Sequence, residues 1–152
     1  MWILFFENLA LIFRVNISIL ILLKLAGILQ IALCIGSLWI PKLLNWNLEL
    51  SKLSKLIRQI FWTYAGYILM FNFSFGLLSF YGAEELLEKS FLSKAISVFI
   101  FMYWLARVMI QFFFFTSSAP KGMIYKAGEI ALVSLFIFLT IIYGWVSILN
   151  FS

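Results

Sequence analysis

The stretch FLSKAISVFIFMYWLARVMIQFFFF (residues 91–115) carries only two charges, Lys94 and Arg107. As an α-helix it would be about 37 Å long at 1.5 Å per residue, and the hydrocarbon core of a bilayer is about 30 Å thick. A helix on the surface of a soluble protein shows a polar face opposite its apolar stripe; this one has none. Three further stretches read the same way: roughly Ile17 to Ile40, Ile60 to Tyr81 and Ile124 to Leu149. Pro41 closes the first, because proline cannot continue a helix interior, and Gly82 closes the second. Ser117-Ser118-Ala119-Pro120-Lys121-Gly122 is a turn between the third and the fourth. The connections are short, which makes consecutive helices antiparallel neighbours. The predicted fold is all-α: an integral membrane four-helix up-down bundle. Its transmembrane domain covers residues 17–152, with an N-terminal interfacial segment over residues 1–16.

Composition agrees. Of 152 residues, 65% are hydrophobic, 20% aromatic and 11% charged, whereas a soluble domain is about half apolar and about a quarter charged. Too little polar surface exists to cover such a core, and the length allows one unit. Histidine and aspartate are absent and Cys34 is the single cysteine. A Ser-His-Asp or Cys-His arrangement is therefore impossible within this chain, as is an internal disulfide. Six Glu, one Cys and five Met make a poor donor set for a transition metal. No Walker loop, GxGxxG or zinc-type spacing occurs. No cofactor is predicted, although a bound lipid is compatible with the apolar surfaces. The formal charge of +5 flanks the spans, so anionic lipid headgroups account for it and nucleic acid is not predicted as a partner.

Orientation follows from Lys and Arg in the connections. The first carries Lys42, Lys52, Lys55 and Arg58 and the third Lys121 and Lys126, against Arg14, Lys89 and Lys94 on the other side. The excess predicts the first and third connections in the cytoplasm, with both termini outside. The opening segment, MWILFFENLALIFRVN, is too short to span and has no basic start, and Glu7 interrupts its apolar run. Glu7 and Arg14 share a helical face, which suits a helix lying at the headgroup boundary. In the first connection Leu43, Trp46, Leu50, Leu53, Ile57 and Ile60 recur at helical spacing, with Lys52, Lys55 and Arg58 on the other face. This predicts a basic amphipathic helix. Anchorage to anionic lipid is one reading, and docking against a partner helix is the other.

Ionisable and amide groups at membrane depth are the remaining handle. Counted from the predicted span ends, Arg107 lies about 12 Å from the cytoplasmic side, Glu129 about 7 Å and Gln30 about 15 Å. Gln111 is one turn nearer that side than Arg107 and on its face. These four form a predicted intramembrane polar cluster, with an Arg107–Glu129 ion pair at its centre. The alternatives are that Arg107 snorkels to the headgroups or that the cluster binds an ion or substrate. Nearer the other leaflet, Lys24 either donates to Asn72 or snorkels outward. Asn72 shares a small, polar stripe with Ala65, Gly76 and Ser79, and Gly27, Gln30, Cys34 and Ser37 make a second. Such stripes suit close helix packing. Trp39, Trp46, Trp62, Tyr64, Tyr81 and Tyr125 lie near predicted span ends, where amphipathic rings favour the interface.

The runs RQIFWTYAGY (58–67), FGLLS (75–79) and YWLARVMIQFF (103–113) resemble a group of small, uncharacterised bacterial four-span integral membrane proteins. The resemblance covers the chain from about Arg58 onward. It implies a helix bundle in the bacterial cytoplasmic membrane and carries no activity with it. Three functions compete. The first is a structural or accessory subunit that binds another membrane protein. The second is an oligomeric small transporter or channel component with a polar path through Arg107 and Glu129. The third, an enzyme acting on lipids, is weakest, since no second acid or base stands beside Glu129.

Overall fold

In lipid a backbone must satisfy its own hydrogen bonds, which within one continuous segment only a helix does, and among the described residues the long apolar runs of this chain are helical. The computed structural model describes the backbone of residues 2–114 and 123–152, and the side chains of residues 17–113, 123 and 126–152. The helices are α1 (Trp2–Ser37), α2 (Ile40–Leu43), α3 (Trp46–Ser51), α4 (Lys55–Tyr81), α5 (Phe91–Phe114) and α6 (Met123–Phe151), with a 3-10 turn at Glu85–Leu87. No strand occurs among the described residues. Four helical stretches are long and apolar enough to cross a membrane: Ile17–Leu43, Lys55–Tyr81, Phe91–Phe113 and Lys126–Phe151.

The backbone of residues 2–16 continues into the first span without a break, as part of α1. The side chains of that segment, Glu7 and Arg14 included, lie outside the described residues, as do the turn Ser117–Gly122 with its Lys121 and the side chain of Tyr125. At its other end α1 stops at Ser37, where Leu38 and Trp39 donate to the Ile35 and Gly36 carbonyls in a tightened turn. Pro41 then sits in the first turn of α2, where its missing N–H costs nothing.

The amphipathic first connection is not one helix. It breaks at Asn45, whose φ of 48° is left-handed, a conformation asparagine tolerates better than most residues. It breaks again after Ser51, and Ser54 precedes α4. Spacing alone predicted a continuous helix, because a 3.6-residue period is blind to one residue with the wrong backbone. The breaks turn Trp46 onto the start of α4, where its ring meets Phe61 edge-on at 4.9 Å and Trp62 at 5.9 Å. Leu50 is buried, while Leu43, Leu53, Ile57 and Ile60 stay exposed.

The chain divides into two units, Lys24–Tyr81 and Met1–Leu23 with Gly82–Ser152. Within Lys24–Tyr81, the second half of α1 runs antiparallel to α4. The backbones approach most closely at two glycines: a Cβ on Gly27 would lie 2.7 Å from the Gly76 carbonyl oxygen and 2.8 Å from the Phe80 nitrogen. Farther along, the Cys34 thiol points at the Leu69 carbonyl, 3.7 Å away. Gln30, Cys34, Asn72, Gly76 and Ser79, members of the two small-residue stripes, are buried. Ala65 and Ser37 are half-buried.

In the other unit α5 and α6 form an antiparallel pair. Gly144 leaves room for Phe101, whose ring carbon would sit 3.1 Å from a Cβ there. Trp104, 1% exposed, stacks on Phe136 with ring centroids 5.5 Å apart. At the far end Asn150 is buried and its amide donates to the Leu86 carbonyl at 2.9 Å and the Ser97 hydroxyl at 3.2 Å. This holds the 3-10 turn against the end of α6. Ser90 begins α5 by accepting the Ser93 N–H at 3.1 Å, a side-chain N-cap.

Candidate functional site

Most hydroxyls of the spans are satisfied inside their own helix. Ser79 donates to the Phe75 carbonyl at 2.7 Å, Thr140 to Phe136 at 2.8 Å and Ser147 to Tyr143 at 2.7 Å. This is the back-bonding by which Ser and Thr enter apolar helices without an outside partner. Arg107 is treated differently. It is half-buried, and its guanidinium carbon lies 5.5 Å from the centre of the Phe136 ring, a cation–π contact worth about 0.5–2 kcal/mol. Among the described residues no ion pair joins Arg107 to Glu129.

The reason is register. Phe101 faces Gly144, Ser97 faces Asn150, and Trp104 and Arg107 both reach Phe136. Glu129 is seven residues from Phe136, about 10 Å along the helix. Depth measured from the predicted span ends assumed that those ends were level. The close fit of Phe101 at Gly144 and the Asn150 hydrogen bonds set the alignment instead, and they pull the two groups apart. Gln111 and Glu129 are half-buried and share no hydrogen bond with Arg107 among the described residues. Glu129→Gln is accordingly expected to leave thermal stability in detergent within about 0.5 kcal/mol of the parent. Arg107→Gln loses the ring contact and falls by about 1 kcal/mol. A drop in Glu129→Gln as large as in Arg107→Gln would restore the pair.

Gln30, the fourth member of the predicted cluster, belongs to the unit Lys24–Tyr81. Its side-chain amide donates to the Ala26 carbonyl at 3.2 Å, and its Cβ packs where a Cβ on Gly76 would lie 3.3 Å away. Lys24 does not donate to Asn72, whose side-chain oxygen accepts no hydrogen bond. Register again decides. With Gly27 against Gly76, Lys24 comes level with Ser79, seven residues or about 10 Å beyond Asn72.

In the first connection Lys52, Lys55 and Arg58 are exposed. Lys52 donates to a Glu49 carboxylate oxygen at 2.7 Å, both side chains 62% exposed, and a pair so open to water adds little stability. No group of three His, Cys, Asp or Glu among the described residues could hold a metal ion.

Two features were not anticipated from sequence. The Asn150 anchor has a readable signal, since Ser93 and Ser97 share a face of α5 while Ser147 and Asn150 share one of α6. The Trp46, Phe61 and Trp62 cluster depends on the breaks at Asn45 and Ser51, which hydropathy does not register. No protein-family model, curated protein or solved structure matches this chain.

Proposed function

We propose that this is an accessory subunit of the membrane, acting by docking against another integral membrane protein. The observation that carries the reading is the outer face of α4. This is the least apolar of the four candidate spans, and 17% of its apolar window is buried, the same share as in α5. Tyr64 and Tyr67 are 65% and 54% exposed, and their hydroxyls make no hydrogen bond among the described residues. Tyr64 and Tyr67 share a side of the helix, while Gly66 opens on another, with nothing within 4 Å of where a Cβ would stand. Tyr64 lies near the predicted span end, but Tyr67 is about 10 Å past Ile60, where a hydroxyl facing hydrocarbon has no bonding partner; a neighbouring helix supplies carbonyls and side chains and can approach closely over a glycine. The Asn72 oxygen and the Trp104 Nε1 also make no hydrogen bond, but they are buried inside the structure, whereas this surface of α4 is open to a neighbour.

In this reading the first and third connections face the cytoplasm and both termini lie outside, following the distribution of Lys and Arg, in a bacterial cytoplasmic membrane. The test is purification in mild detergent, with and without the double substitution Gly66→Leu, Tyr67→Ala. A membrane protein that copurifies with the parent and is lost from the variant supports docking. A chain that purifies alone, with the variant indistinguishable from it, sinks the proposal. A homo-oligomer untouched by the substitution would favour the transporter reading instead.

A further inference from the structure

Lys42, Lys52, Lys55 and Arg58 are exposed around the start of α4, and Glu49 is the single acid in residues 38–60. The structure sorts these cations. Lys52 already holds Glu49 at 2.7 Å, so its charge is neutralised locally. Lys55 and Arg58 make no ion pair among the described residues. They stand three apart on α4, and Trp62, four residues past Arg58, continues the same face. Trp62 is 41% exposed and is braced by Trp46, 5.9 Å away, with Phe61 closing the cluster at 4.9 Å from Trp46 and 6.0 Å from Trp62.

Indole rings settle at the boundary between acyl chains and headgroups. Arg58 lies about 6 Å further along the helix, on the side away from the span, where lipid phosphates lie. We propose that Lys55 and Arg58, seated beside Trp46 and Trp62, bind the phosphate of an anionic phospholipid, and that Lys52 takes no part. The guanidinium offers a two-pronged donor to phosphate oxygens, and the ammonium adds a point charge. Two uncompensated positive charges select a headgroup of net negative charge over a zwitterionic one, whose own cation they repel. The braced indoles supply a rigid wall for the glycerol and upper acyl chain. Gly66 continues the Trp62 side one turn further into the span, about 12 Å from Arg58 along the helix, and the substitutions at Lys55 and Arg58 leave it unaltered, so lipid binding and docking are tested separately.

The experiment titrates the purified whole chain in mild detergent with phosphatidylglycerol and, separately, phosphatidylcholine, counting bound lipids by native mass spectrometry. Phosphatidylglycerol is expected to be retained preferentially, and inorganic phosphate in excess is expected not to displace it. The double substitution Lys55→Gln, Arg58→Gln weakens its binding roughly 30-fold, the effect of two cations at the headgroup, with phosphatidylcholine unaffected. The paired substitution Glu49→Gln, Lys52→Gln, which removes both charges of that ion pair, changes it less than about twofold, and the charge-preserving pair Lys55→Arg, Arg58→Lys keeps the preference. Circular dichroism of each variant controls for folding. Equal retention of both lipids by the parent overturns the proposal. So does a loss in Glu49→Gln, Lys52→Gln matching that of Lys55→Gln, Arg58→Gln, or displacement by inorganic phosphate.

Discussion

Gly27→Ala is expected to destabilise the protein by roughly 1–3 kcal/mol, and Gly27→Leu by more, read as thermal unfolding in detergent followed by circular dichroism. The added Cβ would stand 2.7 Å from the Gly76 carbonyl oxygen and 2.8 Å from the Phe80 nitrogen. Both are backbone atoms of a long helix and neither can rotate away, so α1 and α4 must separate. Between apolar helices in lipid no hydrophobic term opposes separation, and packing at close range is what holds them. Losing the approach therefore loses most of the attraction at that crossing. Gly76→Ala is expected to be milder, because its nearest obstacle is the Ile31 side chain at 2.9 Å, which can turn aside, with the Gly27 carbonyl at 3.1 Å. Gly36→Ala and Gly66→Ala meet nothing within 4 Å and should be neutral or stabilising by up to about 1 kcal/mol, the helix propensity gained. The order of the four variants is the prediction. A Gly27→Ala protein that unfolds with Gly66→Ala would show that the crossing is not tight.

Trp104→Ala is expected to cost about 3–5 kcal/mol in the same measurement. Trp104 is among the largest side chains in the protein to be almost wholly buried, at 1% exposure. It contacts Phe136 at 5.5 Å and meets Tyr103 edge-on at 5.4 Å. Removing it leaves a cavity between α5 and α6 that neither rigid helix can close. Trp104→Phe should behave very differently. The indole Nε1 is buried and makes no hydrogen bond, so it carries a desolvation cost of about 1–3 kcal/mol. Phenylalanine keeps much of the ring contact and removes that burden, for a net change of about 1 kcal/mol or less. Equal losses in the two variants would mean that the indole nitrogen has a partner after all.

The long apolar helices were legible because hydropathy accumulates locally: Phe91 to Phe115 was expected to span, and Phe91–Phe113 is a helix long and apolar enough to do so. The burial of Gln30, Cys34, Asn72, Gly76 and Ser79 was legible too, since small and polar side chains spaced three and four apart mark one helical face. The polar cluster was not. Arg107 and Glu129 each sit at the depth that their own helix dictates, yet whether they meet depends on how α5 slides against α6. That slide is determined by Gly144 admitting Phe101 and by Asn150 reaching Leu86 and Ser97, contacts between residues more than forty positions apart. The same holds for Lys24 and Asn72.

By itself, then, the order of amino acids determined that this chain is helical, that four of its stretches are long and apolar enough to cross lipid, and which residues line their tight faces. These follow from helix geometry and from transfer between water and hydrocarbon, both properties of a segment taken alone. Only the tertiary structure decided the register of each antiparallel pair, the partner of Arg107, the breaks that turn Trp46 onto Trp62, and which loop cations remain uncommitted. Those outcomes rest on sub-ångström fits between side chains and backbones that are distant in the chain. A shift of one helical turn there leaves every local pattern intact while exchanging every neighbour.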